Sequence, residues 1–237
     1  MEYKTLDIST NPVEKLATRL KEVAGEAIAA RGRFSFALSG GSTPKALYEL
    51  LASPQWVGDF DWTKIDILFG DERAVAPDDA LSNFKMANEA LLSHVPARVF
   101  RMEGEREDLE QAAADYETQV RSLGGPVDVV LLGLGDDGHT ASLFPATPQL
   151  HATGLIAAAP VAPMQPHVRR LTFTYELING AREVWFLAAG AGKADRLKEV
   201  LEGPEDIEKL PSQGVKPVNG ELTWFIDEAA AQKLSTR

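Results

Sequence analysis

The residues best suited to catalysis lie in a short polar segment, residues 133–139 (GLGDDGH), directly after the apolar residues 127–132. His139 ends this segment, and an imidazole can accept a proton near neutral pH because its ordinary pKa is about 6.5. A single histidine is more often structural or solvated. Its position after a strand-like segment is what favours catalysis, since ligands of parallel sheets bind beyond the carboxyl ends of the strands. His139 is therefore a candidate for proton transfer, beside the structural or solvated alternative.

The same segment matches the spacing G-x-G-x-x-G, which is typical of dinucleotide-binding loops. Asp136 and Asp137 would place two carboxylates beside a pyrophosphate, and residues 155–160 contain no acid to hold a ribose hydroxyl. We therefore predict that this segment is not a dinucleotide site. Three roles fit Asp137: it could orient the imidazole, line a sugar site or simply form the turn.

A second polar segment, Ser39-Gly40-Gly41-Ser42-Thr43, lies between an apolar segment and a helical pattern that Pro44 begins. Free backbone N–H groups at the start of a helix attract anions, and the glycines permit close approach. An ordinary strand-to-helix turn has a similar composition. Lys45 does not make this a P-loop, because the G-x-x-x-x-G-K-[ST] spacing is absent.

Three cations also occur near predicted strand ends in a chain whose net charge is −11. Arg73 follows residues 65–69, Arg170 precedes residues 171–174, and Lys193 follows residues 183–188. Each is ordinary alone, and many such residues are only solvated. Together they predict a local positive site for an anion or an oxyanion, although Arg169 competes with its neighbour for that position.

The elements that would position these residues alternate between strand and helix patterns. Residues 11–30 read as a capped amphipathic helix that ends before Gly32. The predicted strands are residues 34–38, 65–69, 127–132, 171–174, 183–188 and 222–226, and the predicted helices are residues 45–51, 84–92, 109–123 and 194–201. This alternation predicts an α/β sandwich with a largely parallel sheet in one domain, residues 1–237.

Composition narrows the class of protein further. The chain has no cysteine, which fits a reducing cytoplasm and excludes disulfides and thiolate metal sites. Its four histidines have no familiar metal-binding spacing, so we expect no metal. The acidic balance argues against a nucleic-acid partner, and no apolar segment predicts a membrane helix. The oligomeric state stays open, and a monomer is compatible with the sequence.

Several segments resemble the 6-phosphogluconolactonase family, in order and over nearly the whole chain. They are residues 36–44 (FALSGGSTP), 70–73 (GDER), 82–83 (SN), 132–145 (LGLGDDGHTASLFP) and 210–212 (LPS). The resemblance implies a modified doubly wound (Rossmann-like) α/β/α sandwich, shared with glucosamine-6-phosphate deaminases and needing no cofactor. It implies hydrolysis of 6-phosphogluconolactone in the oxidative pentose phosphate pathway.

By this resemblance, His139 corresponds to the family's general base. Arg73 corresponds to the arginine of the family's D-E-R motif, which would stabilise an oxyanion. Residues 39–43 and Lys193, with Arg170, resemble the family's phosphate-binding pieces. The deaminases carry a glutamate five residues after the histidine, where this chain has Phe144. A deaminase is therefore the nearest alternative, and a catalytically silent sugar-phosphate sensor is another.

Overall fold

Seven parallel strands form the central sheet of the computed structural model, which describes residues 4–235. In chain order they are β1 (Lys4–Ile8), β2 (Phe34–Leu38), β3 (Ile65–Phe69), β5 (Arg98–Val99), β6 (Val129–Leu132), β9 (Glu183–Ala188) and β10 (Glu221–Ile226). A smaller antiparallel sheet contains β4 (Asp71–Arg73), β7 (Ile156–Ala159) and β8 (Arg170–Phe173). The flanking helices are α1 (Pro12–Arg31), α2 (Ser42–Ala52), α3 (Asn83–Ala90), α4 (Leu109–Arg121), α5 (Tyr175–Gly180), α6 (Ala194–Glu202) and α7 (Glu228–Ala231).

The strand order β1-β10-β9-β6-β2-β3-β5 shows where a ligand would bind. From β2 the chain moves outward to β3 and β5, and from β6 it moves outward in the other direction to β9 and β10. The order therefore reverses between β2 and β6, which are neighbours in the sheet. In open α/β sheets the crevice at such a reversal is the usual ligand site.

The predicted α/β sandwich with a largely parallel sheet is confirmed. Strands β2, β3 and β9 have the predicted bounds, and every residue of β2, β3 and β6 is buried. Strands covered on both faces need such continuously apolar sequences. Helix α1 begins where Asn11 caps the N–H of Glu14 and ends at Gly32, whose φ of 81° is left-handed.

The antiparallel sheet differs from what the sequence predicts. Residues 171–174 were expected among the strands of one largely parallel sheet, but β8 pairs with β4 and β7 instead. Strand β7 has no strand-like signal because three of its four residues are alanines. Apolar residues of both sheets, such as Leu171 and Phe173 from β8, pack into one hydrophobic core. The two sheets thus share a core within the described residues, and the single domain stays a prediction.

A buried carboxylate lies at the end of the sheet opposite the predicted site, where the parallel strands begin. Asp66, at the start of β3, is 3% exposed and bonds to the guanidinium groups of Arg33 and Arg98. Burial alone would raise the pKa of this carboxyl, but the two arginines outweigh it and hold the pKa below its usual value. Across residues 4–235, the helices are too short or too polar to cross a membrane.

Candidate active site

The loops that follow β2 and β6 lie side by side at the point where the strand order reverses. We call residues 39–43, after β2, the anion loop, and residues 133–139, after β6, the histidine turn. A β-carbon built on Gly133 would lie 3.8 Å from the Oγ of Ser39, which is an ordinary contact distance. The two polar segments that the sequence singled out therefore meet in one place.

Asp137 holds the imidazole of His139 within the histidine turn. Its Oδ1 lies 2.5 Å from Nδ1 of His139 and also accepts the backbone N–H of His139 at 3.0 Å. Burial tends to raise the pKa of Asp137, but the hydrogen bond and charge of His139 lower it below its usual value. Among the described residues none bonds to Nε2 of His139, and the side chain is 18% exposed. The geometry leaves one ring nitrogen for a substrate or a water.

Two neighbours fix the plane of this imidazole. A β-carbon on Gly135 would lie 2.0 Å from Nδ1 of His139, so the ring occupies the space that a side chain would need. The ring of Phe144 packs against the imidazole with a centroid distance of 4.7 Å and an interplanar angle of 45°. Close packing on these sides leaves the imidazole little freedom to rotate.

The anion loop presents the start of α2 to solvent. Gly41 precedes α2 with a φ of 105°, which favours glycine, and no side chain caps the helix. Tyr48, which is buried, accepts the backbone N–H of Ser39 at 2.9 Å and donates to its carbonyl at 2.7 Å. The five loop residues are all at least partly exposed. Uncapped N–H groups with the positive end of the helix dipole form a site for an anion.

The two predicted arginines lie opposite each other on neighbouring strands of the antiparallel sheet. Arg73 on β4 is the register partner of Arg170 on β8. Arg73 is partly exposed and donates from Nη1 to the carbonyl of Leu81 at 2.5 Å. Arg170 is 3% exposed and lies over the ring of Phe144 at 5.8 Å, and burial lowers the pKa of its guanidinium. Within the described part of the chain, the buried Nε atoms of both arginines have no hydrogen-bond partner.

Of the two neighbouring arginines, Arg170 is the buried one and Arg169 is the more exposed. Arg169 pairs with Glu110 at 2.5 Å. Phe144 connects the arginine pair to His139, because it contacts both the imidazole and Arg170. Arg73 is the more accessible of the two facing arginines.

Lys193 lies against the outer side of the histidine turn. Its Nζ is 2.5 Å from Oδ1 of Asp136, and Arg196 donates from Nε to the carbonyl of Asp136 at 2.7 Å. The side chain of Asp136 is 82% exposed, so an incoming anion could compete for the lysine. Two cations from the segment that follows β9 therefore contact the acidic residue of this turn.

Three further residues belong to this site although no role was assigned to them from the sequence. Asp71, Asn83 and Ser142 are buried beside the anion loop and the histidine turn. Their only sequence signal was that they occur inside the segments that resemble a known family. Within residues 4–235, the histidine, aspartate and glutamate side chains form no group of three or more that could hold a metal ion.

Comparison with known proteins gives consistent matches over most of the chain. The model of the family described as glucosamine-6-phosphate isomerases/6-phosphogluconolactonase matches residues 9–224. A 6-phosphogluconolactonase of Synechocystis sp. is 43% identical over 88% of this chain and 88% of its own. One from Nostoc sp. is 38% identical over 98% and 99%. The solved structure of 6-phosphogluconolactonase from Trypanosoma brucei superposes with a TM-score of 0.85 at 28% identity, covering 98% of this chain and 99% of that one.

Proposed function

Because this chain belongs to the glucosamine-6-phosphate isomerase/6-phosphogluconolactonase family, we propose that it hydrolyses 6-phosphogluconolactone with His139 as the general base. The chain is a lactone hydrolase that produces 6-phosphogluconate in the oxidative pentose phosphate pathway. One observation carries the role of His139. Its Nδ1 is held by Asp137 while its Nε2 has no partner among the described residues.

The proposed reaction needs one proton carrier and one stabiliser of negative charge. Nε2 of His139 removes a proton from water, and the oxygen of that water attacks the lactone carbonyl carbon. The carbonyl oxygen becomes an oxyanion, which Arg73 or backbone N–H groups of the nearby loops stabilise. The imidazolium then donates its proton to the ring oxygen as the bond from this oxygen to the carbonyl carbon breaks. The proton taken from water is returned, and no other reactant is consumed.

Asp137 supports both states of the imidazole in this mechanism. Its carboxylate accepts the Nδ1–H, which keeps Nε2 unprotonated and ready to receive a proton. When the imidazolium forms, the same carboxylate lies against a positive charge and stabilises it. Of the three roles open to Asp137, we propose orientation of the imidazole.

The phosphate of the substrate would bind at the anion loop, where N–H groups at the start of α2 are uncapped. Lys193 would add a positive charge, because its ammonium group could leave Asp136 and pair with the phosphate. Arg170 is buried, so we propose that it contributes a positive charge beside Arg73 more than a direct bond to the ligand.

The observed environment of Phe144 argues against the deaminase alternative. Its ring packs against the imidazole at 4.7 Å, so no carboxylate occupies that position for the extra proton transfers of deamination. No specific contact favours a silent sensor over an enzyme. We also propose that the protein acts in the cytoplasm without a metal, a cofactor or a nucleic-acid partner, and that it acts as a monomer.

The test is to measure acid release from freshly prepared 6-phosphogluconolactone above its spontaneous hydrolysis, together with ammonia release from glucosamine 6-phosphate. We expect acceleration of the first reaction and no ammonia from the second. Ammonia release without lactone hydrolysis would overturn the assignment. Binding of 6-phosphogluconate without either activity would favour the sensor.

A further inference from the structure

A buried polar network connects the anion loop with the segment that follows His139. It consists of Asp71, Asn83, Ser142 and Thr172, each no more than 6% exposed. Nδ2 of Asn83 donates to the carbonyl and to Oδ1 of Asp71, both at 3.0 Å. The other oxygen of that carboxylate accepts the Oγ–H of Ser142 at 2.7 Å. Asp71 is thus the centre of the network, because its Oδ1 accepts from Asn83 and its Oδ2 accepts from Ser142.

At one end of the network, the carboxamide of Asn83 lies flat against Gly40 of the anion loop. A β-carbon on Gly40 would lie 2.2 Å from Oδ1 of Asn83 and 2.8 Å from its Cγ. The backbone of Asn83 is fixed as well, because Glu72 accepts its N–H at 2.8 Å. Adjacent acidic residues therefore hold the side chain and the main chain of the same asparagine.

At the other end, Ser142 anchors the chain just beyond His139. Its backbone N–H donates to Oγ1 of Thr172 at 3.1 Å, in addition to the bond from its hydroxyl to Asp71. Ala141, between His139 and Ser142, has a φ of 48°, which is unfavourable for a residue with a side chain. Such a conformation persists only where the surroundings enforce it, and the bonds of Ser142 provide that constraint.

We infer that Asn83 is a positioning residue that holds the anion loop in the conformation that binds the phosphate, through its contact with Gly40 and its anchorage in this buried polar network. The inference rests on the proposed phosphate role of the anion loop. A substrate bound by its phosphate at one end and attacked at its carbonyl at the other needs these two points correctly spaced. Asn83 acts on the phosphate end, through Gly40, and Ser142 acts on the end that carries His139.

The two ends can be tested separately with two substrates, 6-phosphogluconolactone and unphosphorylated glucono-1,5-lactone. We define the phosphate preference as the ratio of their kcat/KM values. Asn83→Ala should lower this preference by about 10- to 100-fold, which is the usual effect of losing one charge-assisted hydrogen bond, here between the anion loop and the phosphate. The unphosphorylated lactone should react nearly as before. Gly40→Ala should do the same, because its new methyl group displaces the carboxamide. Ser142→Ala should lower kcat for both substrates by a similar factor and leave the preference unchanged.

Binding of 6-phosphogluconate, measured by calorimetry, provides a second readout that does not depend on turnover. Its affinity should fall in Asn83→Ala and stay near wild type in Ser142→Ala. Asn179→Ala is the matched control, because that carboxamide also joins two parts of the chain, bonding from helix α5 to Gly214 and Lys216, but it is not part of the buried polar network. This control should change neither the preference nor the affinity.

The inference is overturned if Asn83→Ala keeps the wild-type preference and affinity, or if it slows both lactones equally. A change of preference in Ser142→Ala as large as that in Asn83→Ala would also overturn it. Failure of the proposed function looks different. In that case the wild-type protein itself would show no preference for the phosphorylated lactone and no affinity for 6-phosphogluconate.

Discussion

Replacing Gly135 by alanine should disable the base without removing any polar side chain. The added β-carbon would lie 2.0 Å from Nδ1 of His139, whereas an ordinary contact begins near 3.4 Å. The imidazole must therefore shift by about 1.4 Å or rotate, and either movement breaks its 2.5 Å bond to Asp137. A misplacement of about 1 Å at a reacting group costs on the order of 10²-fold in rate. We expect kcat to fall by about that factor, equivalent to about 2.7 kcal/mol.

The assay measures kcat and KM for 6-phosphogluconolactone, with the melting temperature recorded for each variant. Gly133→Ala is the matched control in the same turn, because its β-carbon would meet only Ser39 at 3.8 Å and neither glycine has a positive φ. The control should keep a kcat close to wild type. A wild-type kcat in a folded Gly135→Ala protein would refute the placement of the imidazole against Gly135.

Three other substitutions test separate parts of the account. Asp137→Asn should lower kcat by about 10²-fold at most and leave KM nearly unchanged, because it loosens the imidazole rather than the substrate; an unchanged kcat would show that Asp137 only forms the turn. Lys193→Ala should raise KM by about 10- to 100-fold with little change in kcat. Added salt should weaken substrate binding to the wild-type protein. An unchanged KM in the variant would show that Lys193 is only a surface cation. Asp66→Asn should lower the free energy of unfolding by about 1–3 kcal/mol at pH 7, less than for a fully buried ion pair because Arg33 and Arg98 are partly exposed. Because the pKa of Asp66 is lowered in the folded state, its contribution to stability is fully present above the ordinary aspartate pKa of about 3.9. That contribution disappears as the pH falls through the lowered value. Urea unfolding should therefore show the stabilities of the two proteins converging in acid and not at neutral pH.

Elements with strong local signals were predictable from the sequence. Helix α1 is delimited by its own caps, Asn11 and Gly32, and β2 and β3 are continuous apolar segments. The small antiparallel sheet was not predictable in this way. Strand β7 is mostly alanine and β4 is three charged residues, so both form strands because β8 pairs with them and not because of their own propensity.

The same distinction applies to the site. The histidine turn and the anion loop were predictable because glycines, hydroxyls and a histidine directly after a strand are visible within a few residues. The buried polar network was not, because Ser142 lies 71 positions from Asp71 in the chain and 59 from Asn83. The packing of Phe144 between His139 and Arg170 likewise depends on the fold, since Arg170 arrives on a distant strand. Contacts between distant segments carry no local sequence signal.

The role of His139 as the general base is tested most directly by single-turnover hydrolysis of 6-phosphogluconolactone in His139→Ala, after subtraction of the spontaneous rate. The account predicts a fall in the chemical rate of about 10²–10⁴-fold, the usual contribution of a positioned base. Calorimetry should show nearly wild-type affinity for 6-phosphogluconate, because the anion loop and Lys193 are intact. A folded His139→Ala protein that hydrolyses the lactone at close to the wild-type rate would contradict the account.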